Sequence, residues 1–549
     1  PARTTIICGV YPTCLGAQHM RSMVLLPTEF RMFPQYLREA GYYCTNNSKE
    51  DYNVEKPGRV WDESSPRSHW KNRAEGQPFF AVFNITTSHE SKIRKRPHKP
   101  VHNPANVKLP AYHPDASKVR RDWAQYYDKV TEMDAIVGKR LHELERAGLA
   151  DDTIVLYFGD HGSGMPRSKR WLYQSGLRVP LVVFIPSKFR TLAPPEYAVG
   201  GSSDRLVGFI DLAPTILSLA GIESPSYYQG HAMMGAHPGP PQEYLFGFRD
   251  RMDERIDMSR AVRDKHYEYI RNYYPEKPQG QFLSTMFEMP TTRVWKRLND
   301  RGRLTPEQSV FWEPKPAEEL YDLDADPQQV RNLAANPELH DVRQRFRDTL
   351  RVQTLRIRDL GFMPEAEMLT RSGGRAPYDL GHDPTKYPLE RIYKTAELAA
   401  SEDRDPSTVE TLAGQLQDKE SCVRFWAVQG LLLRGADVCV QHVEILNEAL
   451  KDPSPSVRIV AATALSKYAP EPDAQRALDV LIQLADVNNN SVHVAIEALN
   501  AIDNLDQQAA GALERIQLLP QPARSPENRY DTYVERLLKS TLSDLRVSQ

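Results

Sequence analysis

The chain has 549 residues, too many for one hydrophobic core, so two or three domains are expected. Its 40% hydrophobic and 26% charged residues are ordinary for a soluble globular protein, and a net charge of −2 gives no electrostatic case for nucleic acid or a membrane surface. No apolar run approaches the roughly 20 residues that span a bilayer. The prolines lie mostly before residue 390, which is consistent with a loop-rich region followed by a helical tail. Cys8, Cys14, Cys44, Cys422 and Cys439 include no C-x-x-C pair and read as free thiols packed as small hydrophobes.

In chain order, Pro1-Ala2-Arg3 opens a short helical stretch. Apolar runs at 79–83, 153–158 and 181–185 are bounded by turn residues, the pattern of strands buried on both faces. Between the first two, Trp123, Tyr126, Tyr127, Val130, Met133, Val137, Leu141 and Leu144 predict a long helix over 117–147. A second helix is predicted from Leu212 to Ala220, with Gly221 as its stop signal. This alternation predicts an α/β domain over residues 1–244 with a mostly parallel central sheet flanked by helices. Short strand-like pieces such as 266–270, among many prolines, predict a smaller antiparallel subdomain over 245–370. The Gly/Pro/Asp-rich stretch 371–389 reads as a linker.

Beyond it, Asp418-x4-Val423-Arg424-x2-Ala427 recurs as Asp452-x4-Val457-Arg458-x2-Ala461, and more loosely at Val492-His493-x-Ala495. A period of this length is similar to HEAT-like helical repeats, in which paired helices stack because one pair cannot bury its apolar face. An all-α repeat domain over 390–549 is therefore expected, packing on the enzyme domain or recruiting a protein partner.

The strongest chemical signal is Asp160-His161-Gly162, directly after the strand at 153–158. Ligands gather at the carboxyl ends of strands in open α/β sheets. There an aspartate and an imidazole offer an oxygen and a nitrogen ligand to a divalent metal. By itself the tripeptide is equally a turn with a solvated aspartate.

The surrounding segments enlarge this signal. Phe158-Gly159-Asp160-His161-Gly162, Lys169, and Leu172 through Arg178-Val179-Pro180-Leu181 form one block. Arg38-Glu39-Ala40-Gly41-Tyr42 leads to Lys49, and Pro78-Phe79-Phe80 leads to Ser88-His89. Asp211-Leu212-Ala213-Pro214-Thr215 and Glu319-Leu320-Tyr321-Asp322-Leu323 follow in order. Together with Pro1-Ala2-Arg3, the back half of a Cys/Ser-x-Pro-x-Arg signature, this series resembles the type I sulfatases of the alkaline phosphatase superfamily. Tyr42 through Lys49 and His19-Met20-Arg21 are most similar to heparan N-sulfatase-like members.

The resemblance implies a sulfuric ester or sulfamate hydrolase acting on a sulfated carbohydrate. Its nucleophile is a formylglycine, expected two places before Pro1 and so outside this sequence. The chain as given is then expected not to turn over. Arg3 and Lys49 would stabilise the hydrated aldehyde, while His89 and Lys169 would contact sulfate oxygens and protonate the leaving group. Asp160 and His161 would be two ligands of one divalent cation, Ca2+ first, with Mn2+ or Mg2+ as alternatives. Calcium takes about six to eight oxygens, so further ligands are expected outside this sequence. His19 and Arg21 would bind substrate. The basic run Lys92 to Lys99 either lines the pocket mouth for a polyanionic glycan or forms a solvated loop. Export to the periplasm, a lysosome or the medium is the family's habit.

Two departures leave alternatives. Ser48 and Asp51 replace the family's frequent Gly and His around Lys49. His161, where many sulfatases use Asn, also suits phosphodiester and phosphonate monoester hydrolases of the same superfamily. A non-catalytic scaffold on this fold is the third possibility. Asn46, Asn84 and Asn489 match the N-x-Ser/Thr glycosylation pattern, which chance explains.

Overall fold

The computed structural model describes residues 1–522 and 530–547. Strand β1 (Tyr43–Asn47) lies between β2 (Glu63–Ser64) and β3 (Phe79–Phe83), all parallel. The β1–β3 register runs from Tyr43 opposite Phe79 to Asn47 opposite Phe83. Their carboxyl ends therefore deliver Lys49 and Asn84 to one edge. Strands β4 (Val155–Phe158) and β5 (Leu181–Phe184) pair antiparallel, with Phe158 opposite Leu181. The segment joining them is thus a long loop over the same edge. The predicted helices are present at Ser117–Arg146 and Leu212–Leu219. Gly221 stands just past the second at φ +73°, where a Cβ would be strained, and Ile222 N–H caps Leu217 O at 2.9 Å.

Strands β6 (Leu245–Arg249), β7 (Ser259–Arg263), β8 (Tyr267–Asn272) and β9 (Glu318–Asp322) form an antiparallel sheet in chain order. Stretch 371–389 is not a loose linker. It holds the helix Pro377–Gly381, and Tyr387 is fully buried with its hydroxyl donating to Asp359 O. Glycine and proline there set turns, while Pro377, Leu380 and Tyr387 supply enough apolar surface to dock the segment.

The repeat region stacks helices including Ser421–Leu433, Pro455–Tyr468, Asp473–Ala485 and Val492–Asp503, and ends in Asp531–Val547. The recurrent motif has a physical basis. Val423, Ala427, Val457 and Ala461 are all buried in one core. Arg424 reaches forward to the next unit's aspartate, gripping Asp452 with Nε and Nη2 at 2.6 and 2.8 Å. Arg424→Ala should therefore reduce the unfolding free energy by about 1–2 kcal/mol, seen as a lower urea midpoint, given a half-buried bidentate pair. Adding Asp452→Asn should cost little more, because both changes remove the same bond.

The repeats pack on the enzyme domain through buried polar contacts. Asn500 Nδ2 donates to Glu254 O at 2.9 Å, Trp426 Nε1 to Phe362 O at 2.9 Å, and Arg271 pairs with Glu397 at 3.1 Å. Intramolecular packing, one of the two roles expected of the repeats, is what these contacts provide. All five cysteines are free and buried. Among the described residues, no helix is long and apolar enough to cross a membrane.

Candidate active site

A cleft of about 2610 Å3 opens at the carboxyl ends of β1, β3 and β4. Arg3 enters it from the first turn of the helix Ala2–Cys8. Its guanidinium is held on every side: Nε donates to Glu50 O at 2.8 Å, Nη2 to Lys49 O at 2.7 Å and Asn84 Oδ1 at 2.6 Å, and Nη1 meets Asp160 Oδ2 at 3.2 Å. Lys49 Nζ lies 3.8 Å from the same oxygen. Asn84 is fixed in turn by donating to Asn46 Oδ1 at 2.7 Å. Asn46 and Asn84 thus serve the site from inside, which explains both apparent glycosylation matches.

Asp160 and His161 follow β4 directly, and His161 Nε2 sits 3.6 Å from Asp160 Oδ1. His161 Nδ1 is 2.6 Å from Gly162 O, so that nitrogen carries the proton and Nε2 presents its lone pair. Burial alone would raise the Asp160 carboxyl, but His161, Lys49 and Arg3 outweigh it and hold it below its usual range. Burial and the neighbouring Lys169 push His161 down, favouring the neutral ring that a metal needs. Asp160 and His161 therefore fit as two ligands of a divalent cation. Among the described residues, the one three-member cluster of metal-ligating type is elsewhere, at His266, Asp322 and Asp324. That group closes a surface turn: Asp322 Oδ1 accepts from the backbone of Asp324 and Ala325, and Oδ2 pairs with His266 at 3.1 Å.

On the facing wall, His89 starts the short helix Glu90–Ile93 and accepts from Ser91 Oγ and N through Nδ1. Burial first, then Lys169, lower it to about 4, so the ring is neutral at physiological pH. Lys169 donates to Glu90 Oε1 at 3.2 Å, and burial with Arg170 beside it lowers the ammonium below its ordinary value. Glu90 stays ionised because Arg170 grips both its oxygens at 2.9 and 3.0 Å. Arg3, Lys49, His89, Asp160, His161 and Lys169 all line the cleft.

The two residues expected to bind substrate separate. Arg21 lines the cleft, with its N–H held by Asn53 Oδ1 at 3.1 Å. His19 does not. Its side chain turns under the surface, with Nδ1 3.8 Å from Glu365 Oε2, and burial lowers it to about 4. Residues 19–21 form a turn in which Arg21 takes a left-handed backbone, φ +65°, and this sends it to a different side from His19. The basic run divides in the same way. Arg94 lines the cleft, whereas Arg96 binds Asp122 and His98 binds Asp128, both on the helix Ser117–Arg146. Glu90 and Arg170 were not singled out by sequence reasoning, and Asn84 was noted only as a chance glycosylation match. Their only signal was adjacency to His89 and Lys169, or to the end of a predicted strand.

Arg3, Lys49 and Lys169 thus meet the Asp160–His161 pair in one cleft at a strand end of an α/β scaffold. The sulfatase family model matches residues 43–222, and a HEAT-repeat model matches 435–500. An ulvan-active sulfatase of Formosa agariphila is 36% identical over 68% of this chain and 69% of its own length. The human N-sulphoglucosamine sulphohydrolase is 29% identical over 45% of this chain and 51% of its own length. A phosphonate monoester hydrolase of Agrobacterium radiobacter is structurally similar at a TM-score of 0.45 and 16% identity, over 66% of this chain and 87% of that one. That last likeness decides nothing about the reaction. The chain belongs to the sulfatase family.

Proposed function

We propose that the cleft binds a sulfate ester or sulfamate of a sulfated carbohydrate and takes part in its hydrolysis. One observation carries this: Arg3, Lys49 and Lys169 converge, with His89, on a single cleft beside the Asp160–His161 pair. Two curated relatives, named for ulvan and for N-sulphoglucosamine, support a glycan as the class of substrate. In this reading the nucleophile would be the formylglycine that the family resemblance implies.

A divalent cation, calcium by preference, would be held in part by Asp160 and His161 and would offset charge on sulfate and nucleophile. Arg3, clamped by four partners, orients the nucleophile's neighbourhood without reorganising. Lys49 places a second positive charge there. Lys169 donates to a sulfate oxygen. Neutral His89 holds its Nε2 toward the cleft to shuttle the leaving group's proton.

The decisive experiment compares turnover of paired substrates by the protein. Sulfate released from ulvan oligosaccharides or N-sulfoglucosamine should exceed phosphonate ester turnover. Equal or greater phosphonate turnover would overturn the proposal.

His89 supplies a second check. In the free cleft its lowered value reflects burial and crowding cations. A bound sulfate neutralises those cations, so binding should raise the His89 value and draw in a proton. Affinity for inorganic sulfate should then increase as pH falls from roughly 7 toward 4, and calorimetry in buffers of different ionisation heat should show proton uptake. His89→Gln should abolish the uptake. Proton uptake that persists in this variant would remove His89 from its role.

A further inference from the structure

The last helix of the repeats is connected to the cations of the cleft. Lys169 and Arg170 share Glu90, which is buried behind them. The other side of Arg170 meets Asp253, with Nη2 3.2 Å from Oδ2. Thr285 Oγ1 donates to that same Oδ2 at 3.0 Å. Asp253 Oδ1 receives the hydroxyl of Tyr533 at 3.4 Å. Tyr533 is fully buried and lies in the first turn of the helix Asp531–Val547. Tyr530, just before that helix, lines the cleft itself with Arg251 stacked 4.9 Å from its ring centre.

Arg170 holds a left-handed backbone, φ +87°, and its side chain, only 5% exposed, lies between two carboxylates. Its position decides how much of Glu90 remains for Lys169. Asp253 can fix Arg170 in one orientation only while both of its own oxygens are tied. Thr285 and Arg170 tie one, and Tyr533 ties the other. Phenylalanine at 533 would keep the ring and its packing but leave a buried anionic oxygen without that donor. Asp253 would then turn further onto Arg170 and change the grip on Glu90.

We propose that Tyr533 is a positioning residue for the sulfate-binding Lys169, acting through Asp253, Arg170 and Glu90, so that the terminal repeat helix is a working wall of the active site. This rests on the reading of the cleft as a sulfate site.

The test measures the affinity of the full chain for inorganic sulfate by calorimetry, alongside thermal unfolding. Tyr533→Phe should weaken sulfate about 3- to 10-fold, the size of a relayed change in one charge-assisted bond. Combined with Asp253→Asn it should cost no more than Asp253→Asn alone, as members of one chain do. Should Asp253→Asn fail to fold, Thr285→Val replaces it in the same cycle. Leu481→Ala, a cavity deep in the repeats, should lower Tm and leave sulfate affinity unchanged. Unaltered affinity in Tyr533→Phe, additive losses in the pair, or an equal loss in Leu481→Ala would each overturn the relay. Lys169→Ala separates the two levels. If the unaltered chain shows no specific sulfate binding, or if Lys169→Ala binds sulfate as tightly as the unaltered chain, the sulfate reading itself fails. If Lys169→Ala loses binding and Tyr533→Phe does not, only the relay fails.

Discussion

Lys169→Ala should weaken inorganic sulfate by about 10- to 150-fold, the value of one hydrogen bond to a charged group, 1.5–3 kcal/mol. Sulfate release from a glycan substrate should fall at least as far, since donors aimed at developing charge are worth more in the transition state. The ammonium is largely buried, at 14% side-chain exposure, so water does not replace it readily. The fold should survive the change. Glu90 keeps both bonds from Arg170 and remains a paired anion, so Tm should stay close to that of the parent. Arginine at 169 should not restore affinity, because a planar fork cannot sit where a compact point charge fits between Glu90 and the cleft. A full loss of Tm with Lys169→Ala would mean that the residue holds the wall together rather than the anion.

The elements that deliver this lysine were legible to different degrees. Asp160 and His161 could be placed because a buried apolar run ends just before them, and strand ends are where α/β sheets put ligands. The repeats could be placed because their period is written in Val423, Val457 and Val492. Arg3, Lys49, His89 and Lys169 could be gathered only through family resemblance, since no local pattern brings residues so distant in sequence to one cleft. The supporting shell was not legible at all. Arg170 meets Glu90 across 80 positions and Asp253 across 83, and nothing in either neighbourhood marks an arginine as buried. His19 failed for a related reason. Its ring lies 3.8 Å from Glu365, on the helix Glu365–Ser372 far away in sequence. Composition likewise set the turns of 371–389 without saying that Tyr387 would be covered.

Arg260→Ala should be the most destabilising single change at the junction of the antiparallel sheet and the segment leading to the repeats. Arg260, on β7, donates to both oxygens of Asp250 at 3.0 and 3.2 Å and to both of Asp359 at 2.7 and 2.9 Å. All three groups are buried. Removing the cation leaves two carboxylates facing each other without a counterion, a loss of about 3–5 kcal/mol. Asp359 also anchors the docked stretch, since its backbone oxygen accepts the Tyr387 hydroxyl and its carboxylate caps Gly361. Gly361 itself is required there, because a Cβ would fall 1.9 Å from Arg260 Nη2. The loss should depend on pH with a definite sign. Burial already raises Asp250 to about 7 despite Arg260. A carboxyl raised in the fold favours the folded state at low pH and loses that benefit as pH rises through its folded value. Without Arg260 the value rises further, so the variant should continue to lose stability between about pH 7 and 9, where the parent has levelled off. Thermal unfolding at pH 6 and at pH 8 measures this directly, with the larger deficit expected at pH 8. Adding Asp250→Asn and Asp359→Asn should recover most of the loss and flatten the pH dependence, because the penalty belongs to the stranded charges and not to the missing side-chain volume. A triple variant no more stable than Arg260→Ala would assign the loss to packing instead.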